Sequence, residues 1–172
     1  MKKPDYRVNT RDVQTRHARP LSAASDTVML TAKQVFGTET SLLFAERAPG
    51  YHTKPHRHDS EQMNYIVAGE IWFYVDGHGY RCRPGDVMRI PRNKPHWAWN
   101  RASETAVVFE SHSPPLIGTR EALWKEPKAL LAPDEPIESV RYAFNELVDM
   151  DPAQVADIEE RALQEEGEAA AA

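Results

Sequence analysis

Four side chains able to offer a lone pair to a cation stand at a definite spacing: His56 and His58 flanking Arg57, Gln62 four residues on, and His96 far downstream. On a β-strand, positions 56, 58 and 62 share parity and point to one face. Two imidazoles and an amide oxygen on that face, joined by a third imidazole from another strand, can surround a divalent metal. All four donors are neutral, so the ion would keep its whole double charge. That makes it a strong Lewis acid that lowers the pKa of bound water or hydroxyl groups. It also works against the higher oxidation state that oxygen-activating iron reaches. Imidazole and amide donors suit Zn, Ni, Fe(II) or Mn, and one divalent ion of this group is the expected cofactor.

A Lewis acid of this kind needs a group to move protons. Glu110 and His112 share parity on the run Val107 to His112, so both are expected to face inward, and they are the candidate catalytic residues. Glu61 would be an alternative to Gln62, but a shift of one residue sends a side chain to the opposite face unless a bulge intervenes. Arg89 either reaches inward to hold a carboxylate or pairs on the outer face, and the outer face is preferred. His52 is a fifth ligand, a donor behind the ligands, or a loop residue at the barrel mouth; the loop reading is preferred. His78 belongs to a hairpin tip, and His17 to a polar arm with no assigned role.

The elements that must carry these groups are short strands. Thr40 to Ala48 reads as a strand, Pro49-Gly50 as a turn, and residues 56 to 68 as one long strand ended by Gly69. Ile71 to Val75 runs into Asp76-Gly77, a tight hairpin signal. Val87 to Ile90, Trp97 to Arg101 and Thr105 to Ser111 follow, separated by Pro/Gly turns. Strands of this length and spacing indicate an all-β sandwich or barrel. Ala98 and Asn100 share the parity of His96, whereas Trp97 and Trp99 face away; with Tyr65 and Trp72 they read as sheet-packing or interface aromatics. Asn64 and Ile66 share the parity of Gln62.

Residues 1–27 read as an N-terminal arm, 28–115 as the barrel, and 116–172 as a loop-rich extension broken by Pro127, Pro133 and Pro136. Near the end, Asp151 caps a helix over 152–166, with Pro152 at its first position and Gly167 ending it. Val155, Ile158, Ala162 and Leu163 form its apolar stripe, and its acidic residues are expected to be solvated.

The chain has 172 residues and a net charge of −5, with no cluster of Lys or Arg. This points away from nucleic acid and from anionic membrane as partners, and toward a small-molecule substrate. One cysteine, Cys82, allows no internal disulfide. No apolar run is long enough to span a bilayer and no leader is evident, so a cytoplasmic location is expected.

The order Gly50, five residues, His56-x-His58, three residues, Gln62, six residues, Gly69 forms one motif. Pro91, Asn93, His96 and Asn100 form a second. Together they resemble the paired motifs of the cupin superfamily over residues 50 to 100, extended by strands to about 30–115. Gln62 stands where that family usually has Glu, a substitution well represented among small single-domain cupins, and Asn93 stands where it usually has Gly. The resemblance implies a double-stranded β-helix, or jelly roll, with a metal at its centre, and a homodimer. The stretch around Glu110 resembles the barrel end of pectin-degradation cupins that open cyclic unsaturated uronates. Those carry the same His/His/Gln/His set and an acidic residue at the position of Glu110, but an aromatic at that of His112.

Three functions are therefore weighed. The first is a metal-dependent isomerase, lyase or cyclase acting on a small oxygenated acid or carbonyl compound. The second is an Fe(II) dioxygenase at the same ligands. The third is a metal-containing sensor without chemistry.

Overall fold

A computed structural model describes residues 7–18, 30–118, 129–130 and 140–171. Pro20 in the expected arm, and Pro127, Pro133 and Pro136 in the extension, lie outside the described residues. The strands are β1 (Arg16–Ala18), β2 (Leu30–Phe36), β3 (Ser41–Arg47), β4 (His56–Arg57), β5 (Glu61–Ala68), β6 (Ile71–Val75) and β7 (His78–Cys82). They continue as β8 (Val87–Ile90), β9 (His96–Trp99), β10 (Ala106–Ser113), β11 (Leu116–Ile117), β12 (Ala129–Leu130), β13 (Ala143–Phe144) and β14 (Glu146–Leu147), before helix α1 (Pro152–Ala171).

Two sheets face each other, as expected for a jelly roll. One runs β1-β2-β3-β10-β5-β8 with β12 on β2; the other runs β14-β4-β9-β6-β7. Alternation along β10 sends Ala106, Val108, Glu110 and His112 inward. The same alternation along β5 buries Gln62, Asn64 and Ile66 and leaves Met63, Tyr65 and Val67 outside. An apolar floor of Ile66, Ile71, Phe73, Ile90 and Val108 closes the interior. Polar residues thus occupy one level of the barrel and hydrocarbon the other.

β6 is buried along its whole length because both of its faces are covered. Trp72 and Tyr74 face outward and stack with Trp97 beneath α1, whose Ile158 and Ala162 pack on them. Gly79 on β7 lets the helix come close, since a Cβ there would lie 2.3 Å from the Ala162 methyl. Asp151 caps the helix as expected, its Oδ1 accepting from Ala153 N at 2.8 Å.

Three details differ from the sequence reading. The helix continues through Gly167 to Ala171, because a single glycine weakens a helix by only about 1 kcal/mol and its neighbours are strong helix formers. Leu163 is 38% exposed, since the buried positions 158 and 162 and the partly buried 155 point about a third of a turn away from it. Glu159 is buried, not solvated.

The fourth difference concerns the site. Residues 56–68 are not one strand. β4 lies in the five-stranded sheet and β5 in the seven-stranded one, and the chain turns between them at His58-Asp59-Ser60. Ser60 holds the His58 ring at this corner, its carbonyl oxygen and hydroxyl lying 3.0 and 2.9 Å from Nδ1. Asn93 N donates to His58 O at 2.9 Å from a left-handed conformation (φ 60°), the conformation in which Asn best replaces Gly.

Candidate metal centre

His56 on β4 and His96 on β9 are direct antiparallel partners, so their rings lie 4.3 Å apart. His58, at the corner, brings its ring to 4.7 Å from His96 and 6.3 Å from His56. The predicted donors therefore converge, but through a change of sheet and not through shared strand parity. Among the described residues no group of three His, Cys, Asp or Glu is already drawn to the spacing of a filled coordination sphere. The rings converge without clasping.

Their hydrogen bonds have a common pattern. His56 Nδ1 faces Lys54 O at 2.9 Å, His58 Nδ1 faces Ser60 O at 3.0 Å, and His96 Nδ1 faces Lys94 O at 2.9 Å. A carbonyl oxygen only accepts, so at His56 and His96 Nδ1 carries the hydrogen and the neutral ring keeps its lone pair on Nε2. This is how metal-binding histidines are commonly oriented. At His58 the Ser60 hydroxyl, 2.9 Å from Nδ1, can also donate, so either tautomer is satisfied. His96 Nε2 is buried without a partner. His58 Nε2 lies 3.1 Å from Gln62 Oε1, hydrogen-bonded in one tautomer and, in the other, an acceptor pair that a cation can bridge. With the unpartnered His96 Nε2 beside them, these donors fit a metal.

Burial keeps these rings neutral. It lowers the pKa of His56 to about 4 and also depresses that of His58. His96 and His112 are held well below the ordinary value, first by burial and then by neighbouring positive charge. Neutral imidazole is the form that binds metal.

Glu110 and His112 both face inward, as their parity predicts. His112 is buried with neither ring nitrogen hydrogen-bonded; its ring lies 5.6 Å from that of His58 and its Nε2 3.7 Å from Glu110 Oε2. Glu110 is ion-paired through Oε1 with Arg47 Nη2 and accepts from Gln62 Nε2 through Oε2 at 3.1 Å. Burial pushes the Glu110 carboxyl up, while Arg47 pulls it the other way.

Arg47 is the residue that sequence reasoning missed. A signal existed: on the strand Ser41–Arg47 it shares the parity of Ser41 and Ala45, both buried. An arginine is seldom buried without a partner, and the partner, Glu110, lies on another strand.

The other candidates fall elsewhere. Glu61 and Arg89 pair with each other on the outer face, with Nε to Oε2 at 2.8 Å. His52 stacks on Trp99 at 4.4 Å and bonds to Glu159 Oε1 at 2.9 Å, so it faces the helix and not the imidazole cluster. His78 and His17 are exposed.

Residues 43–112 match the cupin domain family. Over 103 residues, 56% of this chain, the sequence is 29% identical to a 1-hydroxy-2-naphthoate 1,2-dioxygenase of Nocardioides sp. (strain KP7), 26% of which is covered. Over 82 residues, 46% of this chain, it is 33% identical to a 5-nitrosalicylic acid 1,2-dioxygenase of Bradyrhizobium sp., 39% of which is covered. The chain thus spans well under half of either relative. Among solved structures, KdgF from Halomonas sp. superposes with a TM-score of 0.52 at 20% identity, over 62% of this chain and 90% of that one. That likeness concerns the fold.

Proposed function

We propose that this chain, whose residues 43–112 form a cupin domain, is a divalent-metal-dependent enzyme that chelates a small hydroxy acid and adds dioxygen to it. His56, His58, Gln62 and His96 are the metal ligands in this reading. The observation that carries it is the neutral, inward-facing donor set, with each Nδ1 at a carbonyl oxygen, His96 Nε2 unpartnered and His58 Nε2 beside the Gln62 oxygen. Four uncharged donors leave the ion's double charge uncompensated. The ligand that best balances it is a dianion offering a carboxylate and an adjacent ionised hydroxyl. The names of both curated relatives denote aromatic rings carrying those two groups side by side. Such a dianion also removes the electrostatic objection to oxidising the metal, which the ligand set alone would raise.

A redox-active ion such as Fe(II) would supply the electron exchange with dioxygen that no side chain here can. The chain's own residues do the rest. Neutral His112, with both ring nitrogens unengaged, is placed to take the proton of the substrate hydroxyl. Glu110, 3.7 Å from His112 Nε2, steadies the imidazolium that results. The second reading is Lewis-acid isomerisation or lysis of a hydroxy acid, and the same neutral donors favour it. The two separate cleanly. Metal-loaded protein given 1-hydroxy-2-naphthoate or salicylate should consume oxygen and yield a product heavier by two oxygen atoms. Turnover under strict anaerobiosis would select the Lewis-acid reading, and a preparation that takes up no divalent ion would sink both.

The same proposal includes a homodimer and a cytoplasmic location. Phe44, Phe109, Tyr65 and Val87 stand in register across β3, β10, β5 and β8 on the outer face, and the last three are more than 40% exposed. A second copy covering this row would remove apolar surface from water. Sedimentation of Phe109→Lys should then show a shift toward monomer. Cys82 is a buried free thiol, which suits a reducing compartment. Among the described residues no helix is long and apolar enough to cross a membrane.

A further inference from the structure

The barrel interior holds a buried ion pair that stability does not explain. Arg47 and Glu110 are each 4% exposed. The guanidinium lies over the rings of Tyr51 and Phe73, at 5.2 and 5.6 Å from their centroids, and its Nε and Nη1 have no hydrogen-bond partner. Desolvating two charges costs about as much as their attraction returns, and an apolar pair of similar volume often serves a core equally well. The pair is better understood from what it touches.

From Arg47 a directional chain of hydrogen bonds runs to the imidazole cluster. Arg47 Nη2 donates to Glu110 Oε1. Glu110 Oε2 accepts one hydrogen of the Gln62 amide at 3.1 Å. The other hydrogen goes to Asn64 Oδ1 at 2.7 Å. Asn64 is itself oriented, because its Nδ2 donates to Met88 O at 3.2 Å. Both hydrogens of Gln62 Nε2 are therefore committed away from the cluster, and Oε1 is left facing His58 Nε2. Flipping the amide would lose both bonds and set its oxygen against two acceptors.

We infer that Arg47 and Glu110 are positioning residues for the metal: the carboxylate, anchored by the guanidinium, turns the Gln62 amide so that its oxygen and not its NH2 group is presented as a ligand. This rests on the metal-binding reading above. It also accounts for the amide at position 62, where the family this chain resembles usually has a carboxylate. A Glu there would put two carboxylates in contact across the 3.1 Å now bridged by a hydrogen bond.

The test is a thermodynamic cycle on metal binding, with no turnover needed. Affinity for Zn(II) by chelator competition and the visible spectrum of the Co(II)-loaded protein are measured for wild type, Gln62→Leu, Arg47→Met and the double variant. Arg47→Met should weaken binding about ten- to a hundredfold, the usual effect of removing a partner behind a ligand. Its Co(II) spectrum should match that of Gln62→Leu. The double variant should bind no more weakly than Gln62→Leu alone, because both changes remove one donor. Wild-type affinity in Arg47→Met, or fully additive losses, overturns the inference. If Arg47→Met does not fold, Arg47→Met/Glu110→Leu removes both charges together and answers the same question: binding equal to wild type overturns it, binding equal to Gln62→Leu upholds it. Wild-type protein that binds no ion is a different outcome, because it removes the functional reading itself.

Discussion

Histidines occupy two polar regions of this molecule, and the two are finished differently. Beneath α1, the polar atoms of Trp97, His52 and Glu159 are paired with one another. Glu159 Oε1 accepts from Trp97 Nε1 at 2.8 Å and from His52 Nε2 at 2.9 Å, and His52 stacks on Trp99. Inside the barrel, His96 Nε2 and both nitrogens of His112 are buried without partners. An unmet buried polar atom costs about 1–3 kcal/mol. Under the proposed function, the unmet set inside the barrel is the one held for a ligand. Burial alone does not tell a structural histidine from a functional one; the unspent lone pair does.

The contrast can be broken or sharpened by substitution. The largest effect is expected at His96. Replacing it with Ala should reduce metal affinity on the order of a hundredfold or more, a loss exceeding that from a residue behind a ligand. The barrel should remain folded, because its apolar floor is untouched. Retention of stoichiometric metal by elemental analysis would show that the unmet nitrogens have no such role.

Under the helix the expected loss is of stability and not of metal. Ile158→Ala should destabilise the protein by about 3 kcal/mol in urea unfolding, as for a buried aliphatic cut back to Ala. Glu159→Ala should cost about 2 kcal/mol by leaving the Trp97 N–H unmet. Metal content should not change in either. A variant here that lost metal without losing stability would erase the distinction between the regions.

Acid should act on the interior region first. In the metal-free protein the imidazoles have folded-state pKa values below their ordinary 6.5, that of His56 at about 4. Between these values the unfolded chain binds more protons than the folded one, so stability is full above pH 6.5 and declines as pH falls toward 4. Differential scanning calorimetry of metal-free protein should show Tm falling through that window. Bound metal, which holds the rings neutral, should move the decline to lower pH. A Tm that stays level over this range would mean the rings titrate as exposed groups.

The smallest effect is expected from His52→Ala. Its ring is partly exposed, and removing it leaves Glu159 bonded to Trp97, so about 1 kcal/mol is the expected cost, again without loss of metal.

Spacing and alternation alone determined a good deal here: a sandwich or barrel of short strands, the inward parity of Gln62, Glu110 and His112, and the preference for an outward Arg89. These are local properties, because a pleated strand of known parity fixes which residues share a face. The jelly roll came from the resemblance of the two histidine motifs to the cupins. The convergence of His56 and His58 with Gln62 was anticipated for the wrong reason. The chain leaves one sheet at His58 and enters the other at Glu61, and no periodicity records a corner. Arg47 beside Glu110, and Glu159 under Trp97, were likewise decided only in three dimensions. Each is a charge made tolerable by a partner 62 or 63 positions away. A sequence states the cost of burying such a group, but only the packed structure brings up the partner that offsets it.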